Sequence, residues 1–297
     1  MTSAIRHVET ASRSADTTGK GKGKGGRRVG HALAYLFLGA MIVAQLLPFW
    51  LALSAASKPS TDMSSTLVPR LHDIAWDNFT TAITQGGILT AVGNSVIVTV
   101  CSTVLVCICG AAAAYPLARR KTRGNKLVSA GIMSLMMVPP LSILVPLYTL
   151  MVNTGGVNTR WGIVLVTVAG NLPLAIFLYT AFIKAVPESI DEAGMIDGAS
   201  RFMIFIRLIL PLLKPVTATV VIMTSVGVWN EYALSNYLIS DPSKQLIAPR
   251  VASFFAMQSS NLGVGAASAL IAALPIVIVY LFLQRYFIAG IAAGAEK

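Results

Sequence analysis

The sequence predicts an all-α membrane protein with six transmembrane helices, and three observations support this fold class. Hydrophobic residues make up 55% of the chain and charged residues only 12%, about half the charge of an ordinary soluble domain. The mean hydropathy is +0.71. Six apolar runs each reach the ~20 residues that a helix needs to cross a hydrocarbon core, where backbone groups must be paired within the segment. The runs lie at 31–54, 90–118, 127–152, 161–184, 215–239 and 262–286.

The chain begins with a polar leader, residues 1–30, which is rich in Gly, Lys, Ser and Thr. This composition predicts a disordered basic segment beside the membrane. Its GKGKGKGG stretch lacks the GxxxxGK[ST] spacing of a phosphate-binding loop. Residues 31–297 are then predicted to form one membrane domain that ends in a short tail at 287–297.

The apolar runs are interrupted in places. The second run is expected to extend past the bilayer at Tyr115–Arg119, and RRKTRGNK (119–126) follows it as a short turn. Prolines in the third, fourth and sixth runs each free a backbone carbonyl and permit a kink. These prolines are Pro139, Pro140, Pro146, Pro173 and Pro275.

The distribution of Lys and Arg predicts the orientation of the runs. If the N-terminus is cytoplasmic, all but five of the 23 Lys and Arg residues lie on the inner side. The five on the outer side are Lys58, Arg70, Arg160, Lys244 and Arg250. The positive-inside rule therefore places both termini in the cytoplasm, and it explains the net charge of +11 without nucleic acid.

A polar stretch, ESIDEAGMIDGAS (188–200), separates the fourth run from the fifth, on the predicted cytoplasmic side. It follows Pro187, which suits the start of a helix. Ser189 and Glu192 have the spacing of a capping box, and acids in a first turn suit the helix dipole. We therefore expect a short helix to begin here.

The second half of this stretch predicts a corner. Asp197-Gly198 has the composition of a turn, and Ser200 can cap a second helix that begins at Arg201 and runs to Leu210-Pro211. One interpretation is an ordinary capped helix–turn–helix between two spans. The other is a docking element, in which the short helix enters a groove on a cytoplasmic partner and Gly198 permits close backbone approach.

Polar side chains inside the apolar runs are candidates for a substrate path, because they are costly in lipid. Glu231 is the only acid in the six runs, and its neighbours supply aromatic and amide groups of the kinds that bind sugars. Alternatively, the acid pairs with a neighbouring helix, the aromatic residues belong to an interfacial belt and the amides join helices. The candidates are Trp229, Asn230, Glu231, Tyr232, Asn171 and Asn94. If Glu231 lines a path, Glu231→Ala should alter uptake without disrupting assembly.

Other residues argue against an enzyme. The three cysteines, Cys101, Cys107 and Cys109, share one apolar run and are expected to be small buried hydrophobes. The histidines lie far apart, and no spacing indicates a nucleophile–base pair or a metal site. We therefore predict no metal and no cofactor in this chain.

One segment resembles a known family. EAGMIDGASRFMIFIRLILPLLKP (192–215) resembles the EAA loop of ABC importer permeases: EAA, three residues, Gly, nine residues, Ile, one residue and Leu-Pro. Five residues fall on this pattern: Glu192, Ala193, Gly198, Leu210 and Pro211. Gly194 stands where a second Ala is usual, and Leu208 where Ile is usual.

Three further stretches resemble the carbohydrate-uptake branch, the maltose and multiple-sugar type. They are VWNEYALSNYLI (228–239), WDNFTTAI (76–83) and LPIVIVYLFLQRYFIAGIAAGAEK (274–297). The resemblance runs from about residue 31 to the C-terminus and implies the type I importer permease fold.

The resemblance also implies a role and partners. The chain would be one of two different permease subunits in a bacterial or archaeal plasma membrane. Two ATP-binding subunits would carry ATP and Mg, and an extracellular solute-binding protein would deliver a saccharide. The loop 187–213 would couple the ATPase to the pore through Glu192, Ala193, Asp197, Gly198, Leu210 and Pro211. The tail residues Gly294, Ala295 and Glu296 would also reach the ATPase.

Two alternatives remain open from the sequence. A permease for a non-sugar solute, such as a polyol phosphate, would carry the same EAA loop. An ion-driven secondary transporter should show acid relays and an internal repeat, and the runs hold one acid and no visible repeat.

Overall fold

A computed structural model describes residues 24–59, 61–62, 67–70, 72–257 and 262–295. All regular structure within these residues is helical, which agrees with the all-α prediction. The helices are α1 (Lys24–Ala56), α2 (Trp76–Thr84), α3 (Ile88–Arg119), α4 (Arg123–Leu135), α5 (Leu144–Asn153), α6 (Arg160–Ala185), α7 (Ser189–Ile196), α8 (Arg201–Ile204), α9 (Leu210–Leu212), α10 (Lys214–Trp229), α11 (Ala233–Leu238), α12 (Ile247–Met257) and α13 (Leu262–Ala295). A 3₁₀ turn, Pro140–Ile143, precedes α5, and a π-helical turn, Phe205–Ile209, joins α8 to α9.

The chain divides into two units, residues 1–51 and 52–297. In the first unit, every side chain from 31 to 50 is exposed, including the large apolar ones of Tyr35 and Leu36. A helix that is apolar on all sides is typical of a membrane segment. α1 begins at Lys24, so residues 24–30 belong to the helix, not to the predicted leader. The rest of that leader lies outside the described residues.

The core of the second unit is built on α3 and α6. Both helices run in the same direction, because Arg160 bonds Asn94 near their starts and Arg119 bonds Ile183 near their ends. Small residues of α3 allow a close approach: a Cβ on Gly110 would lie 3.1 Å from that of Ala175. Helix pairs in membranes favour such small residues, because dispersion contacts hold them together.

Among the residues that the structure describes, four helices are long and apolar enough to cross a membrane, and there are up to six spans if each of two bent pairs is one span. The four contain the first, second, fourth and sixth predicted runs. α6 and α13 continue through Pro173 and Pro275, so these two prolines do not end their helices. A proline removes one hydrogen bond, and neighbouring groups in a bundle can satisfy the freed carbonyl.

The third and fifth predicted runs differ from single straight helices. The third is divided between 123–135 and 140–153, which meet at 94°, because Pro140 disfavours helical backbone at Pro139. In the fifth, α10 ends at Trp229, and α11 follows as a separate short helix. The residues between them are needed to cap α11, as described below.

The cysteines also differ from expectation. Cys101 and Cys109 are exposed, and Cys107 is half-buried. Cys101 and Cys109 face outward from the described bundle, whereas Cys107 packs against the core cluster that contains Tyr179 of α6.

Candidate functional site

α7 is the short helix predicted between the fourth and fifth runs. It begins at Ser189, with Glu188 in the N-cap position. The capping box predicted from Ser189 and Glu192 is therefore not formed. Glu188 already has helical backbone angles (φ −65°, ψ −22°), so the chain turns into the helix too early for Ser189 to act as a cap.

The end of α7 is a glycine turn, as predicted. Gly198 has φ +78°, a conformation that residues with a Cβ rarely adopt. The N–H of Ala199 donates to the carbonyl of Gly194 at 3.0 Å, and the N–H of Gly198 donates to that of Met195 at 3.1 Å. These two bonds form a Schellman motif, which closes the helix. Ser200 then caps α8 by accepting the N–H of Met203 at 3.3 Å.

One side of α7 carries four exposed residues at helical spacing, which we call the α7 face: Glu192, Ala193, Ile196 and Asp197. Ile196 is 86% exposed. Phe202, which follows on α8, is 74% exposed. Large apolar side chains this exposed beside carboxylates are typical of a surface that another molecule covers.

The opposite side of α7 is anchored by Asp191, which is buried. Its carboxylate lies 2.8 Å from Arg119 Nη2 and accepts the hydroxyl of Tyr115 at 2.7 Å. Arg119 also donates from Nη1 to the carbonyls of Ile183 and Val186, both at 3.0 Å. One guanidinium therefore joins the ends of α3 and α6 to α7. No local pattern in the sequence distinguishes Asp191 from the other acids of this loop, so this anchor was not predicted.

The two departures from the EAA pattern lie in contact. A Cβ on Gly194 would be 2.9 Å from Leu208 Cδ1 and 3.0 Å from Ile204 Cγ1. Such distances leave no space for a methyl group unless the neighbours move. Leu208 and Ile204 therefore both border the position that the Cβ of an alanine at 194 would take.

Leu210 and Pro211 lie away from the α7 face. They belong to α9, after the π-helical turn and just before the 75° bend between residues 201–212 and 214–229. Pro211 has no N–H for the carbonyl four residues earlier, and its ring displaces that carbonyl, which accounts for a π-helical turn at this point. These two residues shape the bend.

The four adjacent path candidates have different environments. Trp229 is buried, and its indole N–H donates to the carbonyl of Ala272 on α13 at 3.3 Å. Asn230 is exposed but bonds Val226 of its own helix. Tyr232 is 48% exposed. Asn230 and Tyr232 are thus the two that present their side chains outward.

Glu231 caps α11. Its carboxylate oxygens accept the N–H groups of Leu234 and Ser235, both at 2.7 Å. These groups have no partner within the first turn of a helix, so a carboxylate there satisfies them and complements the helix dipole. The carboxylate of this acid, found inside an apolar run of the sequence, is therefore used in hydrogen bonds to backbone N–H groups.

We expect Glu231→Ala to loosen α11, because it removes two charge-assisted hydrogen bonds worth about 1.5–3 kcal/mol each. Hydrogen exchange at the amides of Leu234 and Ser235 should accelerate at least tenfold. Asn230→Ala is the matched control, since its side chain bonds only its own helix. Changed uptake with unchanged exchange in Glu231→Ala would instead indicate direct substrate contact.

Asn94 and Asn171 are not brought together with these residues by any hydrogen bond of the described chain. Asn94 is buried; its amide donates to the carbonyls of Ser243 and Gln245, and its oxygen accepts Arg160 Nε at 2.9 Å. It therefore joins α3 and α6 to the segment after α11. Asn171 donates to the carbonyl of Thr167 in its own helix at 2.8 Å.

A second asparagine, not predicted from the sequence, holds the same segment. Asn158 has φ +56°, and its side-chain oxygen accepts the N–H groups of Ser240 and Asp241 at 2.7 and 3.0 Å. Beside it, hydrogen bonds from the hydroxyl and N–H of Ser243 hold the pKa of Asp241 below its usual value. An asparagine that tolerates left-handed backbone was the available signal.

The remaining candidates are at the C-terminus. Gly294 and Ala295 form the last residues of α13, and Glu296 lies outside the described residues. In the part of the chain that the structure describes, no three His, Cys, Asp or Glu side chains are placed to hold a metal ion.

Comparison with known proteins gives a consistent result. Residues 107–292 match the family described as binding-protein-dependent transport system inner membrane component. The chain is 40% identical over 255 residues to the melibiose/raffinose/stachyose import permease protein MelC of Bacillus subtilis (strain 168), covering 86% of this chain and 92% of that protein. It is 31% identical over 272 residues to the probable starch degradation products transport system permease protein AmyC of Thermoanaerobacterium thermosulfurigenes, covering 90% and 98%.

A solved structure has the same fold. It is the crystal structure of a bacterial ABC transporter involved in the import of the acidic polysaccharide alginate. The match has a TM-score of 0.75 at 23% identity, and it covers 91% of this chain and 100% of that chain. The expected permease fold is thereby confirmed.

Proposed function

The chain belongs to the family of binding-protein-dependent transport system inner membrane components, and we propose from this premise that it is a permease subunit of an ABC importer for an oligosaccharide. Family members are membrane subunits and not enzymes. The saccharide class is supported by the relatives, which are named for melibiose, raffinose and stachyose, for starch degradation products and for multiple sugars. Membership removes the ion-driven transporter from consideration.

The α7 face is proposed to dock on an ATP-binding subunit. The observation that carries this is the division of α7 into an outward face with an 86% exposed Ile196 and an inward side fixed by Asp191. A surface that projects from the bundle but is rigidly held can receive force from a partner. A cavity of about 390 Å³ beside it, lined by Arg201 and Phe202 among others, offers space for a partner's side chain.

Movement of α7 is proposed to pass into the bundle through Arg119. The guanidinium contacts Asp191 on α7 and two carbonyls at the end of α6, and it belongs to α3. Since α3 and α6 form the core of the bundle, a displacement of α7 displaces both. The pore then alternates between inward- and outward-facing states as ATP binds and is hydrolysed on the partner subunits.

The assembly is proposed to hold this chain, a second and different permease subunit, two ATP-binding subunits and an extracellular binding protein. The family description itself names a dependence on a binding protein. ATP and Mg²⁺ are assigned to the ATP-binding subunits. Both termini and α7 are assigned to the cytoplasm on the positive-inside rule.

The proposal is tested by purifying the complex through this subunit and identifying the chains that accompany it. Saccharides presented with the binding protein should stimulate ATP hydrolysis, and Gly198→Asp should abolish the stimulation. Gly155→Asp is the matched control: Gly155 also has positive φ (+71°, against +78° at Gly198), and a Cβ at either site meets no atom within 4 Å. The local strain is thus the same, and only the position differs.

Two results would contradict the proposal. Copurification without any ATPase, together with normal transport by Gly198→Asp, would remove the coupling role of the loop. If a polyol phosphate stimulates ATP hydrolysis and no saccharide does, the chain is still an importer permease, but its substrate is not a saccharide.

A further inference from the structure

A cavity of about 560 Å³ lies where the end of α3, the start of α4 and the end of α6 meet. We call it the headgroup cavity. Five cationic side chains and a single carboxylate, that of Glu188, line it. The cations are Arg119, Arg120, Lys121, Lys126 and Lys184. Such an excess of one sign in a concave site attracts an anion.

Two of these cations have acidic partners among the described residues. Arg119 pairs with Asp191, and Lys121 lies 2.9 Å from Glu188. Within the described part of the chain, no carboxylate lies within ion-pair distance of Arg120, Lys126 or Lys184. The walls are held together by Asn125, whose amide donates to the carbonyls of Pro116 and Arg120. Asn125 thus fixes the start of α4 against the end of α3, and the side chains of Arg120, Lys126 and Lys184 are exposed around the cavity.

An apolar groove continues from this cavity. A second cavity of about 190 Å³ is lined by Ile132, Ile176 and Phe177. The two cavities share Leu117, Ser129, Met133 and Lys184 in their walls. We call the second one the acyl groove. It runs beside α3, α4 and α6 toward the apolar parts of these helices.

We propose that the headgroup cavity and the acyl groove together bind one anionic phospholipid, with its phosphate among Arg120, Lys126 and Lys184 and an acyl chain along Phe177. A basic pocket between helices that opens into an apolar groove matches both halves of such a lipid. A free phosphate would leave the groove unfilled, and an acidic peptide would bring unsatisfied backbone groups to an apolar wall. Lysine stems suit this position, because they lie along apolar surface while the ammonium reaches the phosphate.

The test uses the intact importer complex in phosphatidylcholine vesicles with and without phosphatidylglycerol. Spin-labelled forms of both lipids report the immobilised fraction. We expect preferential retention of phosphatidylglycerol, which Lys126→Gln/Lys184→Gln weakens on the order of tenfold, since each cation near an anionic lipid contributes several-fold. The matched control is Arg207→Gln/Lys214→Gln, which removes the same charge from exposed residues outside both cavities and should leave retention unchanged.

A third variant separates lipid from bare anion. Ala181→Leu narrows the acyl groove without changing any charge and should reduce phosphatidylglycerol retention. Competition with inorganic phosphate should be weak. Equal retention of both lipids, equal loss in the control, an Ala181→Leu variant that retains lipid normally, or efficient displacement by inorganic phosphate would each overturn the proposal. Crosslinking of Lys184 to a protein partner in place of lipid would do the same.

Discussion

Asp191→Asn is expected to destabilise the permease by about 3–5 kcal/mol, the usual effect of removing one partner of a buried ion pair. The Asp191 and Arg119 side chains are each only 11% exposed. Without the carboxylate, the guanidinium remains buried with two carbonyls and no counter-charge, and the Tyr115 hydroxyl loses a charged acceptor. The thermal unfolding midpoint of the purified complex and the yield of assembled complex should both fall.

Glu188→Gln provides the matched control for this variant. Glu188 forms an ion pair of almost the same length, 2.9 Å, with Lys121, but the two side chains are 52% and 78% exposed. Exposed pairs contribute about 0–1 kcal/mol, so this variant should unfold close to the wild-type midpoint. If Asp191→Asn shifts the midpoint no further than Glu188→Gln does, the buried anchor is not a stabilising element.

A second substitution distinguishes anchoring from charge balance. Arg119→Lys keeps the positive charge but cannot reach the carbonyls of Ile183 and Val186 and the carboxylate together, because lysine is a point charge and arginine is a planar fork. Its midpoint should lie near that of Asp191→Asn. Any ATP hydrolysis that the surviving complex performs should drive less transport per ATP.

The sequence predicts the long helices well, because each depends on local composition. α1, α3, α6 and α13 contain the apolar runs assigned to them, with ends displaced by a few residues. The positions and angles of the helix breaks are harder to predict from the sequence. Pro139-Pro140 predicts a kink, but the angle of 94° between the helices on its two sides depends on what packs around them. The end of α10 at Trp229 is not marked by a proline, and the nearest glycine, Gly227, lies inside the helix.

In the candidate site, too, local features could be predicted from the sequence, whereas features that depend on distant residues could not. Gly198 and Ser200 act as predicted, because turn and cap geometry is local. The role of Asp191 depends on Tyr115, 76 residues earlier, so Asp191 looks in the sequence like the other acids of its loop. Glu231 is another example: its acidity inside an apolar run is visible, but its use as the cap of α11 follows from a helix break that the sequence does not reveal.

Ile196→Asp should prevent the ATP-binding subunit from docking while leaving the permease itself stable. An 86% exposed side chain contributes little to the fold, and a carboxylate in its place is fully solvated in the free subunit. In the proposed interface the same carboxylate would be desolvated without a partner, and burial of an isoleucine worth about 1.5–3 kcal/mol would be lost. Copurification of the ATPase and stimulated hydrolysis should fall on the order of tenfold or more.

Val68→Asp is the matched control, since Val68 is 67% exposed and lies in the segment between α1 and α2, far along the chain from α7. It should assemble and hydrolyse ATP normally. Phe202→Asp should behave like Ile196→Asp if the docking surface extends onto α8. Normal docking by Ile196→Asp would show that the ATPase binds elsewhere on this chain, and α7 would then be only a capped turn between two spans. The comparison with Asp191→Asn distinguishes the two sides of α7. Asp191→Asn, on the buried side, should lower the stability of the permease. Ile196→Asp, on the exposed side, should prevent binding of the ATP-binding subunit and leave the unfolding midpoint of the isolated subunit unchanged.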